Sequence, residues 1–160
     1  YEWFQAMLAL KGNEGTLKFI KAFRAQEPAF NRGRTLQAQL VAAGEYDVAL
    51  ELFNYRVEVL KSQKAPIDWV APQPMVTNPS VASLAARATH PNAGRLFIDF
   101  LLSREGAMQI RDTGRIPARS DVEPDPPKLL KGLSVWVPDP QDDINKIIAL
   151  YNEAFGIGRK

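Results

Sequence analysis

Apolar positions fall at helical spacing over much of the chain. Trp3, Phe4, Met7 and Leu8 share one face of a helix that Gly12 stops, and Leu17, Ile20 and Phe23 share one face of a second that ends before Pro28. After the turn Asn31–Thr35, Thr35 is positioned to cap a third helix with Leu36, Leu40 and Val41 inside and Gly44 at its end. The period then changes. Val48, Leu50 and Leu52 alternate with Ala49 and Glu51, which predicts a strand. A helix follows from Asn54 to about Lys61 with Val57 and Leu60 inward, and beyond Pro66 the short run Ile67–Val70 predicts another strand. Strand, helix and strand in that order suggest a parallel βαβ unit and hence an α/β layer architecture.

Prolines punctuate what comes next. Pro74 to Leu84 is expected to run as extended chain from one layer to another, because Pro79 fits no helix interior and no central strand. In His90–Ile110, Pro91 suits a first helical position, and Ala93, Leu96, Phe97, Phe100 and Leu101 form a packing stripe. Ser103 caps the following helix, Glu105 complements its first turn and Gly114 closes it. Residues 114–132, rich in proline and charge, read as a surface excursion. In the last helix Asp139 caps, Pro140 starts, and Asp142 and Asp143 complement the dipole. Ile144, Ile147, Ile148, Tyr151 and Phe155 form its buried stripe before Gly156.

Composition narrows the function classes. The 20 Lys+Arg nearly balance the 18 Asp+Glu, which argues against a phosphate-backbone partner. No apolar run is long enough to span a membrane. The absence of cysteine excludes disulfides and thiolate chemistry and is compatible with either side of a membrane. The start YEWFQAMLAL has neither an initiator Met nor a basic leader and reads as a piece of a longer protein. Catalytic material is sparse. His90, the sole histidine, stands at a helix entry, no glycine-rich phosphate loop is present, and Asp142 and Asp143 are explained by the helix dipole. No catalytic residue and no cofactor is therefore assigned.

Anion capture is better supplied. Gly33, Arg34 and Thr35 bring a flexible residue, a fixed cation and a hydroxyl to a helix start. A plain Thr cap beside a solvated Arg accounts for the same pattern. Asn54 and Tyr55 stand where a strand gives way to a helix, where ligands collect in open α/β sheets, and Tyr55 equally suits a packed ring with a wet hydroxyl. Arg34, Thr35, Asn54 and Tyr55 are thus the candidate ligand-binding residues, expected to converge on one concave surface.

The residues Leu40–Leu60, the bend Pro74–Ala85, the helix pair His90–Ile110 and the run Gly114–Val122 together resemble the extracellular solute-binding proteins of ABC importers, specifically the ferric-iron-type group. The resemblance runs over roughly Gly12 to Val122, and its most specific part is the Pro-Asn-Ala…Leu-Phe-x-Asp-Phe-Leu-Leu-Ser-x-Glu-Gly signature. It implies a type 2 periplasmic-binding fold of two α/β lobes closing over a ligand, of which this chain would hold the second lobe and the C-terminal part of the first. The expected division is 1–73 for the second lobe, 74–84 for the hinge, and 85–160 for a helical portion of the first. Ferric members use two consecutive tyrosines, of which Tyr55 matches the second while Asn54 replaces the first. Anion-binding relatives suit Arg34, Thr35, Asn54 and Tyr55 better. The implied partners are a small anionic or ferric ligand and ABC permease subunits. The implied location is periplasmic or extracellular, with or without a lipid anchor. Two other readings stand beside this one: an α/β hydrolase or transferase, which would need a base in contact with a nucleophile, and a non-catalytic interaction domain.

Overall fold

A computed structural model describes residues 1–157. Contacts divide them into two compact units that interleave along the sequence. The first holds Tyr1–Asn31, Pro72–Pro79 and the described chain from Ser134 onward; the second holds Arg32–Ala71 and Ser80–Leu133.

In the first unit, α1 (Glu2–Arg24) is broken at Gly12, whose φ of 67° and ψ of 175° leave the helical region. The chain therefore makes two helical segments, as the spacing predicts, and glycine tolerates the positive φ between them. Phe4 and Ile20 of α1 are buried with Phe155 of α6 (Ile144–Phe155), and Trp3, Leu8, Phe23, Ile147, Leu150 and Tyr151 close around them. The Phe4 and Tyr151 rings meet edge to face, 5.5 Å apart. The α6 cap lies later than expected. Asp143, not Asp139, accepts from the Asn145 and Lys146 N–H groups, at 3.0 and 3.2 Å. Asp139 instead accepts from the Gln141 N–H at 2.8 Å and holds the turn that precedes the helix. Asp142 accepts from the buried Gln5 amide, so its carboxylate satisfies a core group as well as lying near a helix start. The unit also holds a two-stranded parallel sheet, in which β1 (Met75–Val76) pairs with β2 (Val135–Trp136).

The second unit is built on α2 (Arg34–Ala42) and α3 (Asn54–Ser62), which bury Ala38, Val57 and Ile67 between them and the following chain. Gly44, at φ 80°, closes α2. Its N–H bonds the Val41 carbonyl and the Glu45 N–H bonds the Leu40 carbonyl, the paired closure that a left-handed glycine permits. The strands expected at Val48–Leu52 and Ile67–Val70 do not form, and with them goes the βαβ unit. Glu51 has a φ of 62°, which interrupts extended chain, and Val48 and Val70 are 76% and 91% exposed. Extended chain becomes a strand only when a neighbour takes its backbone groups, and among the described residues the sheet is β1 with β2. The fold is consequently helix-rich with one small sheet.

The segment from Pro74 to Leu84 contains β1 and no helix, as its prolines predict, and the chain passes from the first unit to the second between Pro79 and Ser80. The stretches 1–73 and 85–160, expected as lobes, each contribute to both units. The cause is the α1 and α6 core on one side, and on the other the ties from α3 to the chain near Leu129.

The helices α4 (Pro91–Leu102) and α5 (Arg104–Asp112) follow the sequence closely. Pro91 takes the first turn, the Ser103 hydroxyl accepts from the Gly106 N–H at 3.1 Å and donates to the Phe100 carbonyl at 2.7 Å, and Gly114 ends the pair at φ 82°. A Cβ on Gly106 would lie 2.1 Å from the Phe100 carbonyl oxygen, so glycine is what allows this close approach. The α4 stripe departs from expectation in being only partly covered: Leu96 and Phe97 are 71% and 60% exposed, Phe100 and Leu101 are half-buried, and no residue of the helix is fully buried.

Candidate functional site

The four candidate residues all lie in the second unit, at the first turns of α2 and α3. Thr35 is not the α2 cap. Gly33 takes that position at φ 97° without a side-chain bond, which leaves the Thr35 hydroxyl to accept from Arg56 Nη2 at 3.3 Å. Arg34 reaches toward the start of α3. Its guanidinium lies 4.6 Å from the centre of the Phe53 ring, and its Nη2 is 3.9 Å from Glu51 Oε2. The pair Arg34 and Thr35 is thereby linked to the α3 start through Phe53 and Arg56.

Asn54 and Tyr55 divide their work. The Asn54 amide nitrogen donates to the Leu129 carbonyl at 3.0 Å, and its oxygen accepts from the Tyr55 N–H at 2.8 Å. Asn54 thus fastens the short 3₁₀ turn Pro127–Leu129 to α3. The Tyr55 ring stacks on Phe53, with centroids 5.5 Å apart and planes 25° from parallel, and the Arg115 guanidinium lies over Tyr55 at 5.3 Å. Cation over aromatic face is an electrostatic attraction to the ring quadrupole. Phe53, Arg56 and Arg115 join this candidate cluster, and the sequence reading missed them. The Phe53-x-Tyr55 spacing gave a faint local signal; Arg115 gave none, because its partner lies far away in sequence.

One turn further along α3, Glu58 ties separate segments together. Its carboxylate accepts from Lys128 Nζ at 2.8 Å and from Trp69 Nε1 at 2.6 Å, with Lys61 Nζ at 3.6 Å. Burial alone would raise its pKa, but the hydrogen bonds from Lys128 and Trp69 and the charges of Lys128 and Lys61 outweigh it and hold the carboxyl below its ordinary value. Lys61 also bonds Asp68 at 2.5 Å, which raises the lysine and lowers the aspartate. This network holds Ile67–Trp69 and Lys128 against α3, the task assigned by sequence to a strand. His90 is exposed at the α4 start, where its side chain makes no cap bond. Among the described residues, no three of His, Cys, Asp and Glu cluster in a way that could hold a metal ion.

The family of bacterial extracellular solute-binding proteins matches residues 2–115, most of the chain. The chain belongs to that family. Comparison with curated proteins and with solved structures returns no match. As a member of the extracellular solute-binding proteins it has a substrate-binding receptor role, in a family that is generally non-enzymatic, working outside the cytoplasm with small-molecule ligands and transporter partners. Among the described residues no helix is long and apolar enough to cross a membrane. The match covers α1 to α5 and reaches Arg115, so the first turns of α2 and α3 and both guanidiniums flanking the ring stack lie inside it.

Proposed function

We propose that this solute-binding protein captures a small anionic solute at the first turns of α2 and α3 and delivers it to the permease of an ABC importer, without a catalytic step. One observation carries the reading: Arg34, Arg56 and Arg115 gather about Thr35, Phe53 and Tyr55, while the nearby carboxylate, Glu51, stands 3.9 Å from Arg34 alone. Guanidinium forks and the Thr35 hydroxyl are donors suited to carboxylate or phosphate oxygens. A ferric ligand is supported less well, since Asn54 replaces one of the two phenols the ferric members use, and its amide is engaged by Leu129 and Tyr55. A hydrolase or transferase would need a base beside a nucleophile, and the sole histidine stands exposed at the α4 start.

Capture by lobe closure belongs to the same proposal, with 1–73 and 85–160 assigned to different lobes and 74–84 as the hinge. The non-helical course of 74–84 supports the hinge, while the two compact units, to each of which both stretches contribute, do not coincide with these lobes. Calorimetry on the full-length receptor tests the ligand class. A phosphorylated or carboxylated solute should bind, and Arg34→Ala should weaken it by about 1.5–3 kcal/mol through loss of a charge-assisted hydrogen bond. Tight binding of ferric ion, unchanged by Arg34→Ala and abolished by Tyr55→Phe, would replace the anion reading with the ferric one.

A further inference from the structure

We infer that Tyr55 serves anion binding through its ring and not its hydroxyl, as the support of Arg115, which is a second ligand-binding guanidinium. This rests on the anion reading of the preceding section and adds to it a residue and a division of labour.

Two arginines elsewhere in the same unit are engaged by the chain itself. Arg119 bonds both carboxylate oxygens of Asp121, at 2.8 and 3.0 Å, and the Leu102 carbonyl at 3.1 Å; Arg111 bonds Asp112 at 2.7 Å. Their donors are engaged by acceptors of the chain itself. Arg115 differs. It makes no ion pair among the described residues, and the contact that positions it is the Tyr55 ring. A guanidinium lying over a ring is held by its face, so its N–H edges keep their hydrogen-bonding capacity for another acceptor.

Arg34 repeats the arrangement on Phe53, and the two rings stack on each other. Four side chains from three separate segments, the α2 start, the α3 start and the chain after α5, thus form one array of two cations on two stacked rings. Each ring has one face against its neighbour and a cation over it, which leaves little open aromatic face for a planar ligand to stack on. What the array offers a solute is guanidinium edges, the chemistry of carboxylate or phosphate recognition. A phenolate donor to a metal is a different use of Tyr55, and the two uses separate cleanly in a variant that keeps the ring and removes the oxygen.

Inorganic phosphate titrated calorimetrically into the full chain at low salt is the probe. Arg115→Ala and Arg115→Lys should each weaken binding, the former by about tenfold or more, because a hydrogen bond to a charged group is lost. Tyr55→Phe should keep most of the binding that Tyr55→Leu loses, since cation–π attraction survives on a phenyl ring. Tyr55→Leu should weaken binding nearly as much as Arg115→Ala, with ordered folding verified by circular dichroism. Equal loss in Tyr55→Phe and Tyr55→Leu, or parental binding in Arg115→Ala, would overturn the inference. Ring-current shifts of the Arg115 side-chain protons provide a readout without ligand: they should persist in Tyr55→Phe and vanish in Tyr55→Leu. If those shifts behave so while the parent binds no phosphate, the anion reading fails and the support of Arg115 by the ring stands. If the shifts are absent from the parent, the inference fails whatever binds.

Discussion

The helix pair α4 and α5 and the helix pair α2 and α3 lie in the same unit and use their polar groups in opposite ways. In the first pair, polar side chains serve the backbone beside them. Ser103 bonds both Gly106 and Phe100, Pro91 fills a turn that needs no N–H, and Arg119 beyond the pair is neutralised by Asp121. In the second pair, Arg34, Thr35 and Tyr55 reach across to other segments. A scaffold satisfies itself locally, whereas a site keeps donors and charges for something else.

The contrast breaks most severely at Gly106. Gly106→Ala would set a methyl group against the Phe100 carbonyl oxygen, a backbone atom that cannot rotate away. Forcing the α4 and α5 junction apart should cost about 3 kcal/mol or more, read as a lowered thermal midpoint of the full chain. A midpoint equal to the parent would mean that the close approach is not required. Next in size is the removal of one arginine from each region. Arg34→Ala should lower anion affinity by about 1.5–3 kcal/mol with little change in stability. Arg119→Ala should leave both affinity and stability close to the parental values, as expected of an exposed ion pair. An exchange of those two outcomes would reverse the assignment of scaffold and site. Ser103→Ala should then cost about 1 kcal/mol in thermal or denaturant unfolding, the usual worth of a helix cap, and Thr35→Ala less, because Thr35 is no cap.

The smallest effect is a pH dependence. Glu58 and Asp68 have folded pKa values below their ordinary ones, so the stability they add is present above the ordinary carboxylate range and is lost as pH falls through the folded values. Lys61 is raised, so its share is complete below the ordinary lysine value and is lost as pH rises through the folded one. Denaturant midpoints measured across the acid range should therefore fall less steeply in Glu58→Gln than in the parent. Parallel curves would show that Glu58 is not coupled to folding.

How far the sequence revealed this molecule depends on how local the cause is. The α4 and α5 pair was legible because Pro91, Ser103, Glu105 and Gly114 act within a turn of their own positions. The α6 cap lies four residues beyond the expected one because aspartates occupy both places: Asp139 holds the preceding turn, Asp142 is engaged by Gln5 of α1, and Asp143 caps. The strands at Val48–Leu52 and Ile67–Val70 could not be judged from alternation alone, since a strand exists by virtue of its neighbour. The candidate site was half legible. Arg34, Thr35, Asn54 and Tyr55 stand out by type and position, but the contacts that set Arg34 over Phe53 and Arg115 over Tyr55 are tertiary.

The central claim is that these residues receive an anion, and chemical-shift mapping of the isotopically labelled full chain tests it most directly. On addition of inorganic phosphate, the backbone amides of Gly33–Leu36 and Asn54–Arg56 and the guanidinium signals of Arg34, Arg56 and Arg115 should move together with one saturating dependence on concentration, while Arg119 and the α6 start at Asp143–Lys146 stay in place. Shifts centred on the α6 start, or spread without saturation over the exposed arginines, would contradict it.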